Sequence, residues 1–453
     1  MKKKYIKYKS GIALFFSALL VVGMINLLAV KPTYSNTENR ELATMPKFSF
    51  AALTDGSYIS GLSTYLSDTF LGRESLVRFA GKFKSLYGFT GDDTDIIVKP
   101  NPTASDQGIA QDTSSAAPAQ SGTESDLTSS AAGTSSESAV SSNFHIEDDS
   151  ALTSKGLVIA GTTAFQLYGY APKVNERYAA AVSSFAAKYP NVNTMCMVAP
   201  LNTEFYLPEK YKKQTANEKE SIEKIYSLMS NQVTTIDAYS KLAQHQGEYI
   251  YFRTDHHWTQ LGAYYGYTAF AEKTGIATPS DITKLRTITY DNFLGSLYLQ
   301  LKGTAAAEKV AKEPDVLTAY IPDFNYELYY YPKESIEKPA SYLGKGTLVA
   351  ENVTVANKYM CFIHGDQPFE RIENLDNQNG KTLLIFKESY ANSFVPFVCH
   401  DYQTVLVVDP RYFTQSLSKL MSMYEVDDAL FLNYIMAPGT TQRVSEIEKT
   451  VAG

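Results

Sequence analysis

Cysteine is too rare here to hold the fold together. The three cysteines, Cys196, Cys361 and Cys399, are an odd number, lie in apolar surroundings and show no ligand spacing. They read as small buried hydrophobes, and no thiolate metal site is expected. Positive charge is also short: 41 Lys and Arg against 48 Asp and Glu leave a net charge of −7, which argues against a nucleic-acid partner. Tryptophan occurs once and histidine six times, whereas tyrosine occurs 33 times. A tyrosine bias suits polar polymers such as glycans and equally an ordinary tyrosine-rich core. With 453 residues, 44% of them hydrophobic, the chain can bury one large core or two modest ones.

One long apolar run stands at the start. Lys2, Lys3, Lys4, Lys7 and Lys9 precede residues 11–30, which carry no charge. That length spans a bilayer, and the lysines hold the N-terminus in the cytoplasm. The alternative is a cleaved signal peptide, but no convincing small-x-small site follows. The expectation is an uncleaved transmembrane helix, a cell-membrane location and an extracytoplasmic remainder. Residues 31–100 show helical apolar spacing at Tyr65, Phe70, Leu76, Phe79, Phe83 and Leu86 around a break at Gly72, and read as a segment docking on the main domain, with a strand at 95–98. Residues 101–143 are mostly Ser, Ala, Thr, Gly, Gln, Asp and Pro with almost no large apolar side chains, so they read as a disordered insertion in a surface loop, the alternative being an interdomain linker.

From residue 144 onward the pattern alternates. Strands are expected at 156–160, 194–198, 233–237, 248–252, 383–386, 404–408 and 429–435, with helices at 174–189, 218–229, 261–273 and 414–424. Such alternation predicts an α/β fold with a mostly parallel central sheet. Residues 276–360 fit less well: the stretches 326–331 and 347–355 alternate like antiparallel strands, and the whole reads as a cover over a cleft.

Two loops concentrate chemistry. Thr254-Asp255-His256-His257-Trp258-Thr259 places a carboxylate, two histidines and the sole tryptophan between a strand-like run and a helix. An aspartate two residues before a histidine can accept from one ring nitrogen and leave the other to take a proton from a nucleophile, which fits Asp255 and His257. The bland alternative is a helix entry capped by Asp255 or Thr259. A metal site is not expected, because adjacent His256 and His257 should diverge. The second loop follows the buried run Leu383-Leu384-Ile385-Phe386: Ser389 sits on a turn before a helical stretch, placed like a nucleophile or simply like a helix cap. His364 with Asp366, and His400 beside Asp401, are weaker acid/base pairs.

The string Thr-Asp-His-His-Trp-Thr-x-Leu-Gly-Ala-Tyr-Tyr resembles the signature of the bacterial DHHW family, a branch of the SGNH-hydrolase-like proteins similar to the alginate O-acetyltransferases. The segments 38–43 and 68–73, Phe293-Leu294-Gly295-Ser296-Leu297-Tyr298, Ser389-Tyr390-Ala391-Asn392 and Asp409-Pro410-Arg411-Tyr412 extend the resemblance. It implies an SGNH-like three-layer fold with Asp255, His257 and Ser389 as a catalytic triad. Tyr390, Asn392, Arg411, Gly295 and Trp258 would be substrate or oxyanion residues, the alternatives being that Arg411 simply pairs with a carboxylate and that Gly295 marks a plain turn. It further implies no cofactor or metal, a polysaccharide acceptor and a multi-span membrane acyltransferase as acetyl donor. An esterase with the same triad and a non-catalytic glycan-binding protein are the competing functions. The sequence departs from the family pattern at Glu388, where Asp, Gly or Thr is more usual. It departs again at Ile363-His364-Gly365-Asp366, where a Gly-Gly-Asn loop is expected.

Overall fold

A computed structural model describes residues 156–276, 281–333, 335–337, 344–353 and 357–453, the strand Ala151–Ser154 and scattered positions before residue 71. The early positions and those from 151 on belong to two separate compact units. In the first, Tyr34–Ser35 pairs antiparallel with Arg40–Glu41. Among the described residues no helix is long and apolar enough to cross a membrane. Of the expected span at 11–30 only Asn26 is described, and the strand at 95–98 and the insertion at 101–143 lie outside the described residues.

Among the described residues the main sheet of the second unit has eight strands: β1 Asn193–Ala199, β2 Val233–Ile236, β3 Tyr326–Tyr331, β4 Gly344–Gly346, β5 Phe369–Asn374, β6 Thr382–Lys387, β7 Thr404–Val408 and β8 Asp428–Tyr434. Their order is β4-β3-β5-β7-β6-β8-β1-β2. The run from β7 to β2 is parallel, but β4, β3 and β5 join antiparallel, and β5 pairs antiparallel with β7. The sheet is therefore mixed, which corrects the mostly parallel expectation. Strand β6 is buried along its whole length, as a strand flanked on both sides should be. Each large apolar side chain so buried contributes about 1.5–3 kcal/mol.

Helix α1, Pro172–Lys188, starts with proline in its first turn and buries Tyr178, Ala181, Val182, Phe185 and Ala186, the face its spacing predicts. Phe185 meets Phe386 of β6 and Phe431 of β8 edge-on, at 5.3 and 5.5 Å. Helix α2, Gln260–Thr274, is capped by the Thr259 hydroxyl on the Gly262 N–H and stops at Gly275 in the left-handed conformation. Two expected strands do not form among the described residues. Residues 248–252 contribute only a bridge from Tyr251 to Trp258, because Phe252 and Ile250 pair with His257 and Thr259 of their own loop. Of the expected strand at 347–355, the described residues 347–353 yield only a bridge from Val349 to Phe362.

Candidate active site

Lys387 ends β6, and the chain turns through Glu388 into the 3-10 turn Ser389–Ser393 and the helix Val395–Val398. Glu388 shapes that turn. One of its carboxylate oxygens accepts the Tyr390 N–H at 2.7 Å and the other the Tyr434 N–H at the end of β8 at 2.9 Å. Burial raises its carboxyl above the usual range, only partly offset by those two N–H groups. The longer glutamate thus ties the serine turn to the neighbouring strand.

The loop between Tyr251 and Trp258 brings the other two groups. His257 Nε2 lies 2.9 Å from Ser389 Oγ, across 132 residues of sequence. His257 Nδ1 lies 2.5 Å from Asp255 Oδ1, which also accepts the His257 backbone N–H at 2.8 Å. The second Asp255 oxygen accepts the Ser296 N–H at 2.7 Å. Burial pushes the Asp255 carboxyl up, but the His257 ring, His256 and the Ser296 N–H outweigh it and hold it well below its ordinary 3.8. An ionised Asp255 orients the ring and stabilises an imidazolium, so the chain Asp255, His257, Ser389 has the hydrogen bonds that activate a serine hydroxyl.

The loop is fixed from outside by Asp315, which carries no sequence signal of its own. Buried Asp315 accepts the Arg253 N–H at 2.9 Å, the Thr254 N–H at 2.8 Å and the Thr254 hydroxyl at 2.6 Å. The Thr254 hydroxyl in turn receives the Gly295 N–H at 3.0 Å. A Cβ on Gly295 would stand 2.3 Å from Asp255, so only glycine permits this approach.

The remaining sequence candidates are engaged inside the protein. Trp258 is fully buried, its Nε1 donating to the Tyr390 carbonyl at 2.9 Å, and Gly266 of α2 makes room for its ring. Tyr390 is fully buried as well; its N–H is taken by Glu388 and its hydroxyl donates to the Pro200 carbonyl at 3.2 Å. Asn392 Nδ2 lies 2.9 Å from Asp366. Arg411 grips Asp409 through two nitrogens, at 2.9 and 2.6 Å, and Asp366 at 2.9 Å. Lys387 joins Asp366 at 3.0 Å and Asp409 at 3.3 Å, completing a buried ionic network under the serine turn. The assignment of Trp258 and Tyr390 to substrate contact is corrected accordingly: both build the turn that carries Ser389.

The two histidines do not diverge as expected. Their rings lie 3.9 Å apart, tilted by 35°, and His256 Nδ1 meets the Ser296 hydroxyl at 2.5 Å. Asp255, His256 and His257 hold three candidate ligand atoms within 4.8 Å of one another, but those of Asp255 and His257 already serve the chain to Ser389. Of the two weaker pairs, His364 stacks on Tyr330 at 4.3 Å while Asp366 binds the network. His400 meets Asp401 at 3.2 Å.

The model of the DHHW protein family matches residues 38–101 and 134–408 and leaves out most of the stretch that composition marks as an insertion. Among solved structures, a DHHW family protein from Eubacterium siraeum is 30% identical over 66% of this chain and 96% of its own, with a TM-score of 0.60. Bacillus cereus PatB1, solved with a sulfonyl adduct, is 19% identical over 64% of this chain and 95% of its own, at 0.51, a likeness of fold. The O-acetyltransferase domain of Pseudomonas putida AlgJ is 11% identical over 65% and 96%, at 0.37. Among curated proteins, none matches this sequence.

Proposed function

This chain belongs to the DHHW protein family, and we propose that it is a serine-dependent O-acetyltransferase that moves acetyl groups onto a cell-surface or secreted polysaccharide. The observation that carries the reading is the hydrogen-bonded series from Asp255 through His257 to Ser389, at 2.5 and 2.9 Å. In the first step Ser389 Oγ attacks the acetyl carbonyl of the donor and His257 Nε2 takes its proton. That proton passes to the leaving group as the bond to the donor breaks, and acetyl-serine remains. A sugar hydroxyl then attacks the acetyl-serine carbonyl, gives its proton to His257, and Ser389 regains that proton as the ester bond to the enzyme breaks.

The acetyl donor on this reading is a separate membrane-bound acyltransferase, and the catalytic unit lies outside the cytoplasm behind the apolar run at 11–30. Protease treatment of spheroplasts tests the topology: a protected catalytic unit would rule it out. The chemistry is tested with the purified chain, an activated acetyl ester and a panel of glycan acceptors, read by intact mass and acceptor acetylation. The parent should form an acetyl adduct and pass it on, and Ser389→Ala should lose on the order of 10⁴–10⁶-fold in rate. Release of acetate to water with every acceptor would make it an esterase. Acetylation by Ser389→Ala at the parent rate would sink the triad.

A further inference from the structure

The base has a neighbour that neither catalytic loop supplies. Tyr359, on the short turn Lys358–Cys361, lays its ring flat on the His257 imidazole, centroids 3.9 Å apart and planes within 11°. Its hydroxyl reaches Ser393 Oγ at 3.0 Å and the Tyr390 carbonyl at 3.3 Å, both within the Ser389 turn. The ring is buried against Phe252 and Phe362, in a cluster with Phe293 and Val349, so it cannot swing away without opening that cluster. A purely structural tyrosine needs an apolar bed and one polar partner. Here the face lies on the base and the hydroxyl lies on the nucleophile's turn.

We propose that Tyr359 is a positioning residue for the acyl-transfer reaction: it sets the His257 ring against the Ser389 turn and stabilises the imidazolium formed when Ser389 gives up its proton. The proposal rests on the triad reading above. An aromatic face attracts a cation, most strongly where water is excluded, so the stack raises the basicity of His257. The other groups facing that ring are Asp255 and His256 on its own loop and Glu388 and Tyr390 at the serine turn. All four are present in a variant that changes only Tyr359, so a shift of the ring's titration reports the loss of Tyr359. Burial keeps the Tyr359 hydroxyl protonated, its pKa well above 10, so it acts as a neutral donor.

Two variants of the full chain separate the two contributions. Tyr359→Phe keeps the ring and removes the hydroxyl; Tyr359→Leu removes the stack. The readouts are the NMR titration of the His257 ring and the pH profile of kcat/KM with an activated acetyl ester. Tyr359→Phe should leave the His257 midpoint in place and lower kcat about fivefold, the worth of one buried hydrogen bond. Tyr359→Leu should move the midpoint, and with it the acid limb of the profile, down by about 0.4–1.5 pH units. If Tyr359→Leu does not fold, Tyr359→Met, which refills more of the space, takes its place. An unmoved midpoint in the folded variant overturns the electrostatic half, and a parent-like rate in Tyr359→Phe overturns the pinning half. If the parent hydrolyses no ester, the functional reading fails, while the ring titration still decides whether the stack tunes His257.

Discussion

Replacing Gly295 by alanine should disable the site while changing one methyl group. Gly295 has φ −86°, a value that alanine adopts freely, so any effect comes from space and none from backbone strain. The added Cβ would stand 2.3 Å from both Cβ and Oδ2 of Asp255 and 2.6 Å from its Cγ. Ordinary contact needs roughly 3.4 Å or more, so the groups must separate by about 1 Å. Asp255 has no slack, because one oxygen holds His257 and the other the Ser296 N–H. A misplacement of about 1 Å costs on the order of 10²-fold in rate, and overpacking costs about 1–3 kcal/mol of stability. Steady-state hydrolysis of an activated acetyl ester and thermal unfolding read the two effects. At an uncrowded site of this φ, Gly→Ala stabilises by about 0.4–1 kcal/mol, so even the sign of the Tm change is informative. A variant with a raised Tm and activity within about threefold of the parent would refute the reasoning.

Two further outcomes concern the ionic network beneath the turn. Glu370 is fully buried, and neither of its carboxylate oxygens has a hydrogen-bond partner among the described residues. Burial, helped by Asp366 and Asp409 and opposed by Lys387, raises its carboxyl well above the ordinary 4.5. A raised acid contributes stability that is lost as pH rises from the unfolded value through the folded one. Glu370→Gln should therefore be stabilising relative to the parent at pH 8 and nearly neutral at pH 4, and a Tm difference independent of pH would contradict this. Asp366 is the opposite case: Arg411 and Lys387 overcome its burial and hold it well below 3.8. Asp366→Asn should cost about 3–5 kcal/mol at pH 7, with the deficit shrinking once the pH falls below about 3.8, as seen in denaturant midpoints across pH.

The parts of the fold that local pattern exposes are those where burial is continuous or the ends are marked. Strand β6 carries four consecutive apolar residues between Thr382 and Lys387, and α2 is bracketed by Thr259 and Gly275. The mixed sheet escapes such reading because of β5, whose sequence Phe-Glu-Arg-Ile-Glu-Asn looks like a surface segment. Three of those six residues, Glu370, Arg371 and Asn374, are polar and buried. Its charges meet partners that come from elsewhere: Arg371 lies under the Tyr329 ring and reaches the Tyr331 hydroxyl on β3, and Glu370 stands near Lys387 of β6. A window of ten residues holds no trace of those partners. Residues 248–252 fail in the other direction, being apolar enough for a strand while their hydrogen bonds go to the loop a few residues on.

At the site, residue types were legible and the direction of each side chain was not. Asp255, His257 and Ser389 carry chemistry that spacing and resemblance single out, and the structure brings them together. Trp258 entered as a substrate candidate through the family resemblance, which names a residue type and leaves its direction open. The signal against that role lay in the glycines of the following helix, since Gly262 and Gly266 recur at i and i+4 and open a groove on one face of α2. The indole fills that groove and presents its N–H to the Tyr390 carbonyl. One short loop thereby supplies both the base and a strut for the turn that carries the nucleophile. The Trp258 bond to the Tyr390 carbonyl stands one residue along from the His257 contact with Ser389 on both loops, so the geometry of the site is tied to the packing of the core.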